Sequence, residues 1–239
     1  MSGVPQREWD AVTGEVAVWE RPDRHRWTVT GRQPSAMLLG VVTGRMPAPW
    51  GEAESGLATG RAEYSAVLTP KGRTLSDLRL WRDGGHEGEG APLLLDVPAA
   101  GAEALRAHFR RFLPPRLARV DDVTDTTGML TVLGPDAAGW IAREATGLRV
   151  EASELEELEE GDLTAVDLGG ERPLVVVRTG DVSVPAWDLV GSSDDVAALR
   201  SRAAAGGVTS IAHATWEALR LEAGRPAFGF DITDEHIPV

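Results

Sequence analysis

The chain has 239 residues, of which 42% are hydrophobic and 26% are charged. This composition is typical of a folded protein with a buried core, and it excludes disorder along the whole chain. The formal net charge of −13 argues against direct nucleic-acid binding, because an acidic surface repels the phosphate backbone. The chain contains no cysteine, which excludes disulfides, thiolate metal sites and a thiol nucleophile.

The sequence also lacks the patterns of membrane, secreted and metal-binding proteins. No apolar run is long enough to span a membrane, and residues 1–8 lack the basic and then apolar pattern of a secretory signal. We therefore expect a cytoplasmic protein with no membrane partner. The five histidines are scattered without ligand spacing, so the sequence predicts no metal site.

The apolar pattern predicts an irregular series of strands and helices. The first half predicts strands at 14–20 and 25–30, a helix at 34–42, a loop at 47–60, strands at 62–68, 74–81 and 92–97, and a helix at 100–112. The second half predicts strands at 116–121 and 129–133, a helix at 134–146, strands at 163–168, 173–178 and 185–190, and helices at 194–205 and 211–222. Because strands and helices do not alternate regularly, we expect an α+β fold of antiparallel or mixed sheets with helices packed on one face.

The domain organisation follows from the same pattern. We interpret residues 1–239 as one structural region, and a boundary between two parts near residues 151–161 is the alternative. That segment is strongly acidic and is expected to form a solvated helix or loop.

The strand predicted at 74–81 carries the first candidate site. Asp77 and Arg79 share one face of this strand, whereas the opposite face is largely apolar. A strand carboxylate of this kind either pairs with an arginine across the sheet or takes part in binding or catalysis. Spacing alone favours the ion pair.

The segment 219–231 carries the second candidate site, at the end of the last predicted helix. Arg220 and Glu222 lie in its final turn. Residues of these types cap helix ends and form ion pairs there, or they serve a functional site in the loop that follows.

Both segments resemble the aminomethyltransferase T-protein family of the glycine cleavage system, and most closely its YgfZ branch of folate-binding proteins. The resemblance extends from about Trp27 to the last residue. The segments that carry it are Gly40-Val-Val-Thr43, Leu68-Thr-Pro-Lys-Gly-Arg73, Ser76-Asp77-Leu78, Leu133-Gly-Pro-Asp-Ala137, Arg178-Thr-Gly180, Leu219-Arg-Leu-Glu-Ala-Gly224 and Phe228-Gly-Phe-Asp231.

The resemblance implies a scaffold like the aminomethyltransferase folate-binding domain, with tetrahydrofolate as the cofactor. Asp77 occupies the place of the family's catalytic carboxylate, where it would orient the folate N10 amine and exchange a proton with it. Asp188 matches the carboxylate that holds the pterin ring, one methylene shorter, and would accept N–H bonds from the ring edge. Arg178 and Arg220, together with Arg79, are the arginines expected to hold the anionic ligand.

The sequence also departs from the transferase pattern. Asp181 replaces a tyrosine of the pterin motif, and Gly44 replaces an asparagine. The Leu-Thr-Pro-Lys-Gly-Arg form is common in the YgfZ branch, whose cysteine motif follows a segment resembling residues 231–238. Because this sequence stops at Val239, we expect the N-terminal folate-binding portion only, with the C-terminal barrel absent.

Three functions follow from the resemblance. The leading hypothesis is a tetrahydrofolate-binding accessory protein for the assembly or repair of iron–sulfur enzymes, which would be its partners. The first alternative is a tetrahydrofolate-dependent aminomethyl or methyl transferase, the one case in which the chain is an enzyme, with Asp77 as the acid–base residue. The second alternative is a non-catalytic interaction module that retains the scaffold.

Overall fold

A computed structural model describes residues 3–84, 90–146, 150–170 and 172–236. Its helices are α1 (Gln6–Gly14), α2 (Pro34–Leu39), α3 (Ala102–Phe112), α4 (Ala137–Glu144), α5 (Ala152–Glu156), α6 (Ser193–Ala205) and α7 (His213–Glu222). Its strands are β1 (Ala17–Glu20), β2 (Arg24–Thr30), β3 (Gly51–Glu52), β4 (Ala58–Arg61), β5 (Glu63–Leu68), β6 (Thr74–Arg82), β7 (Leu93–Pro98), β8 (Arg119–Asp122), β9 (Thr127–Leu133), β10 (Asp162–Val166), β11 (Leu174–Thr179), β12 (Ala186–Ser192) and β13 (Thr209–Ser210).

The chain divides into two compact units, each assembled from separate stretches of sequence. Unit 1 consists of Met1–Arg21, Ala53–Leu57 and Thr126–Arg225. Unit 2 consists of Pro22–Glu52, Ala58–Asp125 and Pro226–Val239. Residues 151–161 fall inside unit 1, and the subdivision left open there remains a prediction.

Unit 1 is built on strands in the order β13-β1-β9-β12-β11-β10. Strands β1 and β13 pair in parallel, and the other four neighbouring pairs are antiparallel. Helices cover both faces of these strands. Trp140 of α4 and Leu199 of α6 belong to the core on one face, and Trp216 of α7 belongs with Val12 of α1 to the core on the other.

Burial on both faces explains why the central strands of unit 1 show no regular alternation of apolar and polar residues. From Met129 to Leu133 all five residues of β9 are buried, as are the first five residues of β12. A strand with two covered faces has no solvated side to carry alternating polar residues. The expectation of helices on one face only is therefore wrong for this unit.

Unit 2 is an antiparallel five-stranded sheet, β5-β6-β7-β2-β8, with α3 packed on one face. Leu105 and Phe109 of α3 are buried four residues apart, as an amphipathic helix requires. Across β6 the burial alternates: Ser76 and Leu78 are buried on the helix side, and Asp77 is half-buried on the other. The predictions of α3 and β6 are confirmed.

Four weak elements were not predicted: helix α1, the short strands β3 and β4, and the two-residue strand β13. Helix α1 was not predicted, because only Ala11 and Val12 of it are buried and two adjacent residues show no period. Short strands β3 and β4 lie within the stretch expected to be a loop, residues 47–60. They pair with each other and are mostly exposed, so their side chains carry no alternating signal.

Gly134 joins β9 to the turn before α4 in a conformation that requires glycine. Its φ is 112°, and a Cβ at this position would collide with the backbone carbonyl oxygen of Glu15. Any other residue would suffer both strain and a clash.

The expected fold class is confirmed: an α+β chain with two sheets and packed helices. Within the residues that the structure describes, no closed barrel is formed. None of the helices there is long and apolar enough to cross a membrane.

Candidate functional site

Asp77 lies on the half-buried face of β6 in unit 2. It sits opposite Ala66 of β5, and its Oδ2 accepts a hydrogen bond of 2.8 Å from the Tyr64 hydroxyl. Tyr64 is 64% exposed. An interior strand of the sheet therefore holds a carboxylate whose orientation is set by a solvent-accessible phenol. Such a pair can bind an amine and accept or return a proton.

A polar row crosses the same face of the sheet beside Asp77. Tyr64 lies opposite Arg79, Arg79 opposite Asp96 of β7, and Asp96 opposite Arg26 of β2. The Asp96 carboxylate is fully buried and accepts from Arg79 Nε at 2.7 Å. Arg79 is thus held by an internal carboxylate in the middle of the sheet.

Arg24 binds the same carboxylate as Arg79. Its Nε donates to Asp96 Oδ1 at 2.7 Å and its Nη2 donates to Oδ2 at 2.9 Å, a bidentate arrangement. Burial lowers the pKa of the neighbouring Arg26, while Asp96 and other nearby carboxylates oppose that shift. Three arginines therefore lie around one buried carboxylate on the sheet face that also carries Asp77.

Asp188 lies on β12 in unit 1 and is fully buried. Its Oδ1 accepts from the Thr131 hydroxyl at 2.6 Å and lies 3.4 Å from Nη1 of Arg21. The same Nη1 lies 3.5 Å from Oδ2 of Asp181. The carboxylate that sequence comparison matched to the pterin ligand is therefore the counter-ion of a buried arginine.

Aromatic rings hold the Arg21 guanidinium in place. Its Cζ lies 5.1 Å from the ring centroid of Trp19 and 4.4 Å from that of Trp216. The two indoles are themselves stacked, with centroids 4.2 Å apart. Trp19, Thr131 and Asp188 occupy opposing positions on β1, β9 and β12, so they share one sheet face. Because Arg21 is buried, cation–π attraction to the two indoles stabilises the guanidinium in addition to the ion pair with Asp188.

Arg178 lies on the opposite face of the unit 1 sheet from Asp188. It pairs with Trp187 in register, and its Cζ is 4.4 Å from that indole ring. Its Nη1 donates to the carbonyl of Ala186 at 2.7 Å, and burial lowers its pKa. Because neighbouring residues of a strand point to opposite faces, Arg178 and Asp188 cannot grip one small ligand from the same side.

Arg220 serves the end of α7. Its Nε and Nη2 donate to Glu217 at 3.0 and 2.7 Å, and Nη1 donates to the carbonyl of Arg225. This guanidinium ties the last turn of the helix to the loop after it, as expected for a capping residue.

Sequence reasoning missed Arg21, Arg24 and Asp96. A signal existed for Asp96, because an acidic residue inside the apolar run Leu93–Pro98 is costly to bury without a cationic partner. No comparable signal marked Arg21, which lies 167 positions from Asp188. The binding roles assigned to Asp77, Asp188, Arg178 and Arg220 remain predictions.

Comparison with known proteins identifies the scaffold on which these residues lie. The model of the GCVT N-terminal domain matches residues 1–239. The chain belongs to this family. An aminomethyltransferase of Thermus thermophilus is similar in sequence, 26% identical over 231 residues, which cover 96% of this chain and 60% of that protein.

Other relatives agree with this assignment. An aminomethyltransferase of Rubrobacter xylanophilus is 30% identical over 185 residues, which cover 77% of this chain and 46% of the relative. The chain thus spans about half to three-fifths of the length of these two relatives. Among solved structures, the glycine cleavage system aminomethyltransferase T from Bartonella henselae superimposes with a TM-score of 0.72 at 21% identity. That match covers 98% of this chain and 58% of the other, and it supports the fold alone.

The family and the relatives' names favour one of the functions expected from the sequence. Family membership confirms the resemblance to the glycine cleavage T-protein, as its N-terminal portion. The relatives' names favour the transferase alternative over the leading hypothesis of an iron–sulfur accessory protein.

Proposed function

We propose that this chain is the folate-binding part of a tetrahydrofolate-dependent one-carbon transferase, with Asp77 as its acid–base carboxylate. The observation that carries the proposal is the placement of Asp77. It lies half-buried on an interior strand, and its carboxylate is oriented by Tyr64. The family resemblance assigns it the role of the catalytic carboxylate. The family match over residues 1–239 supports the same reading.

The chemistry of Asp188 fits a pterin ring. A carboxylate can accept from the guanidine-like edge of a 2-amino-4-oxo pterin as it does from a guanidinium. In the structure Oδ1 of this carboxylate already faces Nη1 of Arg21. Because Asp188 is fully buried, pterin binding requires the side chains around it to move, and Arg21 competes with the ligand for this carboxylate.

The residues of this chain would divide the work as follows. When bound, the reduced folate supplies the N10 amine that carries the one-carbon unit. Asp77 takes a proton from that amine or returns one to it, while the Tyr64 hydroxyl holds the carboxylate in a fixed orientation. Arg178 and Arg220 donate to backbone carbonyl groups of unit 1, and in this scheme they do not contact the folate.

Calorimetric and thermal-shift titrations with tetrahydrofolate and 5-formyl-tetrahydrofolate test the proposal. We expect saturable heat and a raised melting temperature with ligand at about 1 mM. Asp77→Asn should keep binding within a few fold but abolish transfer of an aminomethyl group. Asp121→Asn is the matched control, since that carboxylate also lies on a strand of unit 2 and pairs with Arg119.

The competition between Arg21 and the pterin for Asp188 gives a second test, in which the affinity for folate is measured. Arg21→Leu should tighten folate binding at least about tenfold if the guanidinium and the pterin share Asp188, since breaking that contact no longer opposes binding. Because the loss of this buried pair also destabilises unit 1, the titration is run at a temperature where hydrogen exchange shows that unit 1 of the variant is folded. Neither heat nor stabilisation at millimolar ligand, in wild type and in Arg21→Leu alike, would exclude the folate proposal.

A further inference from the structure

A basic surface lies at the end of α3 in unit 2. Residues 104–120 contain five arginines and no acidic residue, within a chain whose formal net charge is −13. Two of the five are neutralised by ion pairs, Arg106 with Asp122 and Arg119 with Asp121. The arginines that remain available to a partner are Arg110, Arg111 and Arg116.

These three arginines are exposed, and their side chains form no hydrogen bond or ion pair with a residue that the structure describes. Arg110 and Arg111 lie in the last turn of α3, where the helix dipole favours a cation. Arg116 lies beyond the helix, so the dipole does not account for it. The cluster of positive charge is therefore larger than a helix end requires.

Exposed apolar groups lie among the arginines. Phe112 is 44% exposed, and its ring contacts that of His108, with centroids 4.5 Å apart. The Cζ atom of Arg111 lies 5.3 Å from the centroid of the same phenyl ring. Pro114 and Pro115 are exposed as well. We call the exposed residues of 110–116 the α3-end surface.

The backbone under the α3-end surface is held in one arrangement. Leu113 is buried, and its N–H donates to the carbonyl of Phe109 at 2.8 Å. In the turn that follows, the N–H groups of Leu117 and Ala118 both donate to the carbonyl of Pro114, at 2.9 and 3.0 Å. Because this backbone is already ordered, a partner that binds here loses little of its affinity to ordering the surface.

The chemistry of the α3-end surface indicates the kind of partner. Guanidinium groups bind carboxylates through parallel N–H donors, and an exposed phenyl ring beside them offers contact to an apolar side chain. Arginine and aromatic residues are enriched at protein–protein interfaces. A nucleic acid fits less well, because its phosphates extend beyond this small surface to regions where the net charge of −13 repels them.

We propose that the α3-end surface binds a short acidic segment of a partner protein, in which an apolar side chain lies among the carboxylates. The carboxylates would pair with Arg110, Arg111 and Arg116, and the apolar side chain would pack on Phe112. The proposal involves neither folate nor Asp77, so it stands or falls separately from the proposed function. Since all these contacts are exposed, we expect a Kd on the order of 0.1 mM at low salt.

Fluorescence anisotropy of a labelled peptide tests the proposal on the full chain. The probe is an octapeptide of glutamates interrupted by two leucines. We expect saturable binding that weakens as the salt concentration rises from about 50 to about 300 mM. A peptide with glutamines in place of the glutamates should bind at least about tenfold more weakly, and one with glycines in place of the leucines about threefold more weakly.

Two triple variants of equal charge separate this surface from the general electrostatic field. Replacing its three arginines with glutamine should weaken probe binding at least about fivefold, since each exposed ion pair contributes a factor of roughly two to five. The control removes the same charge from exposed positions elsewhere in unit 2 and should leave binding within about twofold. Its substitutions are Arg45→Gln, Lys71→Gln and Arg73→Gln.

Phe112→Ala tests the apolar contact. It should weaken binding of the leucine probe about threefold and leave binding of the glycine peptide unchanged, because only the leucines contact the ring. All the substituted side chains are exposed, so the variants should fold, and far-UV circular dichroism with thermal melting verifies this.

Four results would overturn the proposal. One is the absence of saturable probe binding, and another is an equal loss in the two triple variants, which would assign binding to long-range charge. A third is tighter binding of an oligouridylate of about twelve nucleotides than of the probe, which would make nucleic acid the partner. The fourth is a dimer in sedimentation equilibrium that the arginine triple variant abolishes, which would make a second copy of this chain the partner.

Discussion

The buried pair of Arg21 and Asp188 offers the sharpest test of the structure of unit 1. Both side chains are almost inaccessible, at 2% and 0% exposure. Replacing Arg21 with leucine leaves a fully buried carboxylate that still accepts a hydrogen bond from the Thr131 hydroxyl. Removing one member of a buried ion pair typically costs about 3–5 kcal/mol, because the other charge stays desolvated.

The geometry decides where in that range the effect should fall. At 3.4 Å the contact between Nη1 and Oδ1 is longer than an ideal charged hydrogen bond, which favours the lower end. Contacts of Arg21 with two indoles add about 1 kcal/mol to the loss. We therefore expect Arg21→Leu to destabilise unit 1 by about 3–4 kcal/mol.

Hydrogen exchange of the amides of β9 and β12 measures this loss within unit 1, even if the two units unfold separately. The double variant Arg21→Leu with Asp188→Asn should recover at least half of the loss, since the asparagine removes the unpaired charge and can still accept from Thr131. Arg200→Leu is the matched control: it breaks an exposed ion pair with Glu20 in the same unit and should cost less than about 1 kcal/mol.

Two outcomes would refute this reasoning. One is a cost of Arg21→Leu no greater than that of Arg200→Leu, which would mean that Asp188 is not effectively desolvated. The other is strict additivity of Arg21→Leu and Asp188→Asn, since groups that interact directly must show a coupling energy.

Further predictions concern both units. Asp96→Asn should cost about 3–5 kcal/mol in urea unfolding, because it leaves arginines around a fully buried site, whereas Asp121→Asn on an exposed edge should change stability by about 0.5 kcal/mol or less. Gly134→Ala should destabilise by about 1–3 kcal/mol because its φ is left-handed, while Gly139→Ala inside α4 should be neutral or stabilising by up to about 1 kcal/mol, and thermal melting of the two compares them. Burial lowers the pKa of His108, so the unfolded chain binds more protons below the ordinary histidine pKa of 6.5 and stability should fall as the pH drops through that value. His108→Asn should lessen this fall between pH 7 and pH 5, and an unchanged pH profile would contradict the assignment.

Local pattern determined much of the secondary structure from sequence alone. The alternation in β6 and the helical spacing of Leu105 and Phe109 reflect one buried and one exposed side, so the residues themselves record the period. The place of Asp77 on the polar face of β6 followed from the same alternation and from family resemblance. Helix α1 shows the limit of this reasoning, because only Ala11 and Val12 of it are buried and two adjacent residues record no period.

Only the tertiary structure decided which charges meet. An ion pair such as that of Arg21 with Asp188 joins residues 167 positions apart, and no local pattern encodes a partner at that distance. The register of β9, β11 and β12 likewise placed Arg178 and Asp188 on opposite sheet faces, although sequence comparison had assigned both to one ligand. Sequence therefore determined most of the elements, the family and the acidic character of this protein, whereas strand pairing determined that Asp188 neutralises a buried arginine.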